Sequence, residues 1–335
     1  TMTITIPAGV EDFTVTFPGI EDDIQEDDET FTINLDGTEA TGTITNDDIV
    51  TVATITDASE LEGTDLVHTV TMSGASDMDE TYPFSIADNT TDQATDYTFP
   101  PTFSDGVMDN GDGTITVPAG VTSFTVTTPT TDDLLDEDNE DYTITVGTET
   151  ATGTIEDNDE VTVQDITDAT EQEGDDLTFS VTMSGESAMD EEYPLDLTDI
   201  TATLGTDYEG TPTFTNGVTY DAVTGNITVP AGVTDFDVTF PSTEDAIQED
   251  DETFTLTIGG ETATGTITND DDVMVVAIPN VTAAEGDDLT FAVDMSGVSD
   301  MDEVYPFDIT DITATQGDDY DGTPVFSDGV TYDPV

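Results

Sequence analysis

The tetrapeptide Pro-Ala-Gly-Val stands at 7–10, 118–121 and 230–233, at intervals of 111 and 112 residues. Other landmarks keep the same phase. "TGTITNDD" at 41–48 returns as "TGTIEDND" at 152–159 and "TGTITNDD" at 264–271, and "VTMSGASDMDETYPFSI" at 70–86 is echoed at 181–197 and 293–309. A period of that length is too long for a solenoid unit and suits tandem domains. Within it, "LTFSVTM" (177–183), "FDVTF" (236–240) and "TFTLTI" (253–258) alternate apolar with polar residues, the pattern of a half-buried strand. The chain is therefore expected to be all-β, a linear array of seven-stranded β-sandwiches. In 161–272 the strands are expected at 161–166, 177–183, 193–198, 211–215, 226–240 with a bend at Pro230, 253–258 and 262–268.

The phase divides the chain into two whole repeats, 49–160 and 161–272, between the C-terminal half of a repeat at 1–48 and the N-terminal half of one at 273–335. The last residues of the chain run in register into its first. Two expectations follow: a window onto a longer array, or a subunit whose two halves complete a sandwich with a neighbouring copy.

Charge decides what surrounds such an array. The 335 residues include 79 Asp and Glu and no Lys or Arg, for a formal charge of −79. High charge alone would suggest disorder, but the strand pattern argues for folding. No basic patch is available for nucleic acid or anionic lipid, and no apolar run approaches the length of a membrane span. The charge calls for cations, either screening counterions or bound divalent metal. Lys–Asn crosslinks are impossible, trypsin-like proteases have no residue to cut after, and without Cys there is no disulfide framework.

In a seven-strand sandwich, alternate loops lie at one pole. In 161–272 those places hold Glu173 and Asp176; Asp207; Asp245, Glu249 and Glu252; and Asp270, Asp271 and Asp272. Converging carboxylates without a counter-ion repel one another. Ca2+, a hard cation taking 6–8 oxygen ligands, would turn that repulsion into coordination. Mg2+ suits such a site less well, and zinc is disfavoured by one His and no Cys. The competing reading is a solvated acidic surface of the kind found in saline surroundings.

Glu-Gly-Asp after the first strand, "GTDY" at mid-domain, "EDDETF" before the sixth strand and a closing "ITNDDD" together resemble Calx-β domains, the calcium-binding Ig-like sandwiches of sodium–calcium exchangers and of tandem arrays in bacterial adhesins. The resemblance runs the length of the chain. It implies Ca2+ ligands at Glu173, Asp207, Asp245, Glu249, Glu252 and Asp270, Asp271 and Asp272. In the preceding repeat it implies Glu62, Asp96, Asp133, Glu137, Glu140, Asp157 and Asp159, with Asn158 replacing one carboxylate and lowering the expected affinity. In the half-repeats the equivalents are Asp22, Glu26, Glu29, Asp47, Asp48, Glu285 and Asp319.

Other motifs point away from catalysis. His68, the one histidine, lies in a strand where its counterparts are Phe179 and Phe291, so it is expected to pack. A Ser-His-Asp triad is implausible, and a glycosidase cleft would want aromatic platforms where this chain has no Trp. Tyr82, Tyr193 and Tyr305 are expected to pack at the core or rim. "DNGDGT" (109–114) fits a hairpin turn, and the sequons at Asn89, Asn226 and Asn280 arise by chance in a Thr-rich chain. The expected function is a non-enzymatic, Ca2+-stabilised spacer of an extracellular bacterial fibre or surface adhesin. Its partners would be neighbouring repeats of the same chain or fibre, and its terminal adhesion target is not readable. The alternatives are an adhesive recognition module for a sugar or surface, and a Ca2+-sensing domain pair.

Overall fold

The computed structural model describes residues 2–333, and among them every regular element is a β-strand. No described helix is long and apolar enough to cross a membrane. Besides the two-residue strands Glu186–Ser187 and Ile247–Gln248, which pair with neighbouring repeats, the strands at 161–272 are β1 (Val163–Ile166), β2 (Ala169–Gln172), β3 (Leu177–Met183), β4 (Glu191–Asp199), β5 (Thr213–Phe214), β6 (Thr219–Asp221), β7 (Asn226–Val229), β8 (Asp235–Phe240), β9 (Glu252–Ile258) and β10 (Glu261–Thr268). They form a four-stranded sheet, β1-β3-β8-β5, and a six-stranded sheet, β2-β10-β9-β4-β7-β6. The repeat at 49–160 has the same two sheets in the same order.

All seven expected strands are present, but one of them divides and two are added to the sandwich. The first, β1, lies in the smaller sheet, and the added β2 crosses to pair in parallel with β10. The strand expected over 226–240 is two strands in opposite sheets, because Pro230-Ala-Gly-Val turns the chain across the sandwich. Proline lacks the ladder donor and Gly232 takes φ +77°, so a continuous strand cannot pass.

The alternation read from the sequence is real burial: β3 reads buried–exposed from Leu177 to Met183 without a fault. Phe179, Phe240 and Phe254 meet edge-to-face at the centre of the core, with Tyr208 stacked on Phe254 at 4.0 Å. Gly265 makes room for them. A Cβ there would meet the Phe254 ring at 2.6 Å. Gly265→Ala is therefore expected to destabilise its sandwich by roughly 1–3 kcal/mol through overpacking. Urea unfolding followed by Tyr fluorescence would read this, and an unchanged midpoint would contradict it.

The other whole repeat departs at three linked positions. His68, Thr128 and Tyr142 occupy the places of Phe179, Phe240 and Phe254, and all three are fully buried. The His68 ring bonds through Nδ1 to the Thr56 carbonyl at 2.8 Å and through Nε2 to the Tyr142 hydroxyl at 3.0 Å. The expectation that His68 packs is correct, and the packing is polar.

The half-repeats show the same sequence without its cover. Glu29–Leu35 and Thr38–Ile44 form a hairpin, yet Phe13, Val15 and Phe17 are 46–56% exposed where Phe236, Val238 and Phe240 are buried. At the other end Leu289, Phe291 and Val293 are exposed where Leu177, Phe179 and Val181 are buried.

Candidate metal centre

The turn between β8 and β9 carries the acidic run, and its path is set by an Asx turn. Asp245 Oδ1 accepts from the Ile247 N–H at 2.7 Å, as Asp133 Oδ1 does from Leu135 at 2.8 Å and Asp22 Oδ1 from Ile24 at 3.0 Å. The parallel β2–β10 pairing carries Glu173, just past β2, to the end of β10. There the Glu173 N–H donates to Thr268 O, and Glu173 Oε1 accepts from the Asp270 N–H at 3.0 Å. Asp207 is held in the β4–β5 loop, where its Oδ2 accepts from Thr203 N at 2.6 Å and its carbonyl from Thr243 N at 2.8 Å.

These paths yield two carboxylate groups per repeat. Glu173, Asp245 and Asp271 form one, and Asp207, Glu249 and Glu252 the other, with one oxygen from each residue of a group lying within 4.8 Å of the rest. The preceding repeat matches, with Glu62, Asp133 and Asp159 in one group and Asp96, Glu137 and Glu140 in the other. A cavity of about 10 Å³, the space open to the centre of a water-sized sphere, lies among Glu62, Asp96, Asp133, Glu137, Glu140 and Asp157.

The residues fit a hard cation on one observation above all. Glu62 Oε1, Asp159 Oδ2, Glu252 Oε2 and Asp271 Oδ2 are shut off from solvent and accept no hydrogen bond. A buried oxygen of this kind is costly unless a proton or a cation meets it. Without a cation, burial first and then a hydrogen bond that protonated Glu252 gives to Asp207 raise Glu252 to about 7. Burial, then Asp159, raises Glu62 to about 7, and burial, then Asp96, raises Glu140 to about 8. Glu173, Glu137 and Glu249 are raised too, chiefly by burial. All-oxygen donors at this spacing suit Ca2+ and offer nothing to a thiophilic metal.

Several expected ligands stand apart. Asp270 contributes its backbone N–H to Glu173, while the side chains of Asp270, Asp272, Asp157 and Asp176 belong to neither group. The replacement of a carboxylate by Asn158 falls at the Asp270 position, so it leaves both groups of the preceding repeat whole; Asn158 Nδ2 donates to Glu62 O at 3.4 Å. The lowered affinity expected from Asn158 therefore loses its basis. In the half-repeats Asp22, Glu26, Glu29, Asp47, Asp48, Glu285 and Asp319 form no group of three among the described residues, because each half supplies only part of the pole. Burial and then neighbouring carboxylates still raise Glu26 and Asp48.

Sequence reasoning passed over two supporting residues. Asn269 accepts from Glu249 N at 3.2 Å and donates to Asp271 O at 2.9 Å, tying the two groups together. Glu244 lies against Gly174, where a Cβ would meet its Oε2 at 2.5 Å, and its carboxylate is raised by burial and by Asp270 and Asp271. Tyr82, Tyr193 and Tyr305 also do more than pack. Each donates to the carbonyl of a residue at the start of its repeat, Val50, Val161 or Val273, at 2.6–2.9 Å.

No protein-family model matches the chain, and no curated protein does. Among solved structures it is similar to the I9–I11 tandem of titin (11% identity, TM-score 0.20, covering 73% of this chain and 75% of that one). It is also similar to the I67–I69 I-band fragment of titin (10%, 0.31, 72% and 74%). An Escherichia coli alpha-2-macroglobulin activated by porcine elastase aligns at 10% identity and TM-score 0.19, over 72% of this chain and 24% of that one. The tandem sandwich architecture rests on the strands themselves.

Proposed function

We propose that the chain is a non-enzymatic spacer, a segment of an extracellular shaft whose sandwiches are stabilised and held in line by Ca2+. The observation that carries this reading is the placement of the donorless carboxylate oxygens. Glu252 opens β9 at the end of the β8–β9 turn and Asp271 follows β10, beside the two segments that meet the next repeat, while Glu62 and Asp159 hold the places of Glu173 and Asp271 in the preceding repeat. In that turn Ile247–Gln248 pairs in parallel with Val298–Ser299 of the following repeat, between Asp245 on one side and Glu249 and Glu252 on the other. Asp271 stands two residues before Val273, whose N–H is bonded to Gln248.

Glu173, Asp245 and Asp271 would hold one ion, and Asp207, Glu249 and Glu252 the other. Bound Ca2+ would supply positive charge and oxygen coordination that the chain, lacking Lys and Arg, cannot supply itself. The work of the chain is to fix the turn: the Asp245 Asx bond, the Asn269 bridge and the Glu173–Asp270 bond hold the carboxylates in place. With the turn fixed, the parallel pair to the next repeat is fixed with it.

Chelation is therefore expected to loosen the joints before the sandwiches unfold. Small-angle scattering of the 335-residue chain in Ca2+ and in EGTA reads this as a broadened, more flexible profile in EGTA. Replacing Glu252 and Asp271 together (Glu252→Gln, Asp271→Asn) should loosen that one junction in Ca2+. An identical profile in both buffers would mean that the carboxylates are surface charge and do not stiffen the array.

A further inference from the structure

The two half-repeats are open where the whole repeats are closed, and each is open in the shape of the other. In 161–272 most ladders join β1–β6 to β7–β10: β3 and β5 pair with β8, β4 with β7 and β9, β6 with β7, and β2 with β10. The two exceptions are β1 with β3 and β9 with β10. Those two are the ones that the half-repeats keep. Val275–Ala277 still pairs with Asp294–Met295, the counterparts of β1 and β3, and Glu29–Leu35 with Thr38–Ile44, the counterparts of β9 and β10. Among the described residues none of the crossing ladders is formed in either half.

The side chains beneath the missing ladders are the exposed apolar ones. Phe17 and Phe291 are each 55% exposed, where their counterparts Phe240 and Phe179 are fully buried. In the whole repeat β3 lies antiparallel to β8, with Leu177 opposite Phe240, Phe179 opposite Val238 and Val181 opposite Phe236. The same register would set Leu289, Phe291 and Val293 of one copy opposite Phe17, Val15 and Phe13 of another. A gap of about 660 Å³ opens beside Phe326, whose counterpart Phe214 packs on Phe236 at 6.3 Å in the whole repeat. Phe13 is the counterpart of Phe236. Each half already has the local form it needs: Phe31 lies over Gly42 as Phe254 lies over Gly265, and Tyr320 donates to Asp311 at 2.6 Å as Tyr208 does to Asp199 at 2.7 Å.

The acidic pole is divided along the same line. Glu173 and Asp207 have their counterparts in Glu285 and Asp319, while the other members of their groups correspond to Asp22 with Asp48 and to Glu26 with Glu29. Both portions hold the geometry of the whole repeat. Asp319 Oδ2 accepts from Thr315 N at 2.8 Å as Asp207 Oδ2 does from Thr203 N at 2.6 Å. Asn46 donates to Asp48 O at 2.9 Å, as Asn269 does to Asp271 O. Carboxylates brought together from two such acidic chains would be driven apart without a cation between them.

We infer that a second copy of this chain is the partner of both open halves. Residues 1–48 of one copy and 273–335 of another close into one sandwich, head to tail, with two carboxylate groups shared across the joint. A partner must offer the crossing ladders in this register, a matching half-core and the missing carboxylates, and a second copy offers all three. Within one chain neither half covers the other, since both apolar faces stand exposed. The joint needs no chain passing through it, because the turn between β6 and β7 stands clear of the core, with Val223 93% exposed. Strand pairing repeated head to tail propagates into a filament unless it closes on itself. The pairing deepens the shaft reading by naming the partner, and rests on that reading only for the shared ions.

Two variants of the full chain, Val15→Asp and Phe291→Asp, each block one half. An aspartate closed without a partner into the composite core is costly, whereas both positions are exposed in a single copy and leave the whole repeats untouched. Thermal melting followed by circular dichroism checks that they are. Sedimentation in Ca2+ should show the unaltered chain as species larger than 35.5 kDa that grow with concentration. Each variant alone should sediment as a single chain. Mixed, the two should form a two-chain species and stop there, since the Phe291→Asp chain keeps a sound 1–48 half and the Val15→Asp chain a sound 273–335 half. An unaltered chain that stays single at every concentration, variants that associate as it does, or a mixture that stays single would each overturn the pairing. EGTA should weaken the mixed dimer by about 100-fold for one shared ion present at a hundredfold excess over its Kd, and a dimer equally tight in EGTA would overturn the shared ions. Scattering of the Phe291→Asp chain in Ca2+ and EGTA reads stiffening within a single chain, so the pairing and the metal reading can fail separately.

Discussion

Millimolar Ca2+ is expected to raise the melting temperature of this chain by roughly 10 °C or more over NaCl of equal ionic strength. An ion that binds only the folded state stabilises by RT ln(1 + [L]/Kd), about 2.7 kcal/mol for one site at a hundredfold excess over Kd. Two carboxylate groups per repeat double the opportunity. Screening alone cannot match this, since Glu252 Oε2 and Asp271 Oδ2 are closed to solvent and its counterions.

The pH dependence in EGTA provides a second reading of the same sites. The folded-state values of Glu62, Glu140 and Glu252 lie above their ordinary 4.5, at about 7, 8 and 7. A carboxyl raised on folding stabilises below its unfolded value, and that stability is lost as pH rises through the folded value. The metal-free chain should therefore weaken as pH climbs from 4.5 towards 8. Ca2+ requires the ionised carboxylates, so the gap between the Ca2+ and EGTA curves should widen over the same range. Coincident melting in Ca2+ and NaCl at every pH would leave only a saline surface.

The pole of carboxylates was legible because strand alternation and loop parity are properties of sequence order. Glu173, Asp245 and Asp271 could be assigned to one end of a sandwich without any coordinates. Their division into two groups was not legible. It depends on the Asx turn at Asp245 and on the Asn269 bridge, which set side-chain directions within a single turn. The split of 226–240 between two sheets was half-visible: Pro230 announced a bend, but nothing local says that the bend crosses the sandwich. Gln248 was hidden for a different reason. Its partners, Glu303 and Val273, lie in the next repeat, and a neutral residue inside an acidic run gives no signal of its own. The two whole repeats also looked alike at His68, because one aromatic-sized residue replaced another. Only the simultaneous change at Thr128 and Tyr142 shows a different kind of core.

That core leads to the second large effect, an acid-labile repeat beside an acid-tolerant one. The Thr56 carbonyl can only accept, so His68 carries its proton on Nδ1 and takes the Tyr142 hydroxyl's hydrogen at Nε2. A second proton must enter at Nε2, against that bond and inside a closed core. Around the ring are Val126 on the neighbouring strand and Tyr142, whose own ring packs on Tyr97, and Tyr97 donates to Asp88. Asp57 is a charge that favours protonation. Burial outweighs it and the Thr56 bond, and the His68 value falls below 6.5. A histidine lowered on folding stabilises above its unfolded value, and that stability is lost as pH drops below 6.5, by at most about 1.4 kcal/mol per pH unit. Phe179, Phe240 and Phe254 have nothing to titrate. Hydrogen exchange of the intact chain, stepped downward in pH from 6.5, should therefore show Leu66–Met72 losing protection before Leu177–Met183. Acid also protonates the carboxylate poles, where Glu62 and Glu140 are raised in one repeat and Glu252 in the other, so the triple replacement is what isolates the core. Installing the apolar trio (His68→Phe, Thr128→Phe, Tyr142→Phe) should bring the two strands together. Equal loss in the unaltered chain would show that His68 is carried through acid without cost, and the buried His–Tyr bond would then have no bearing on where the array opens first.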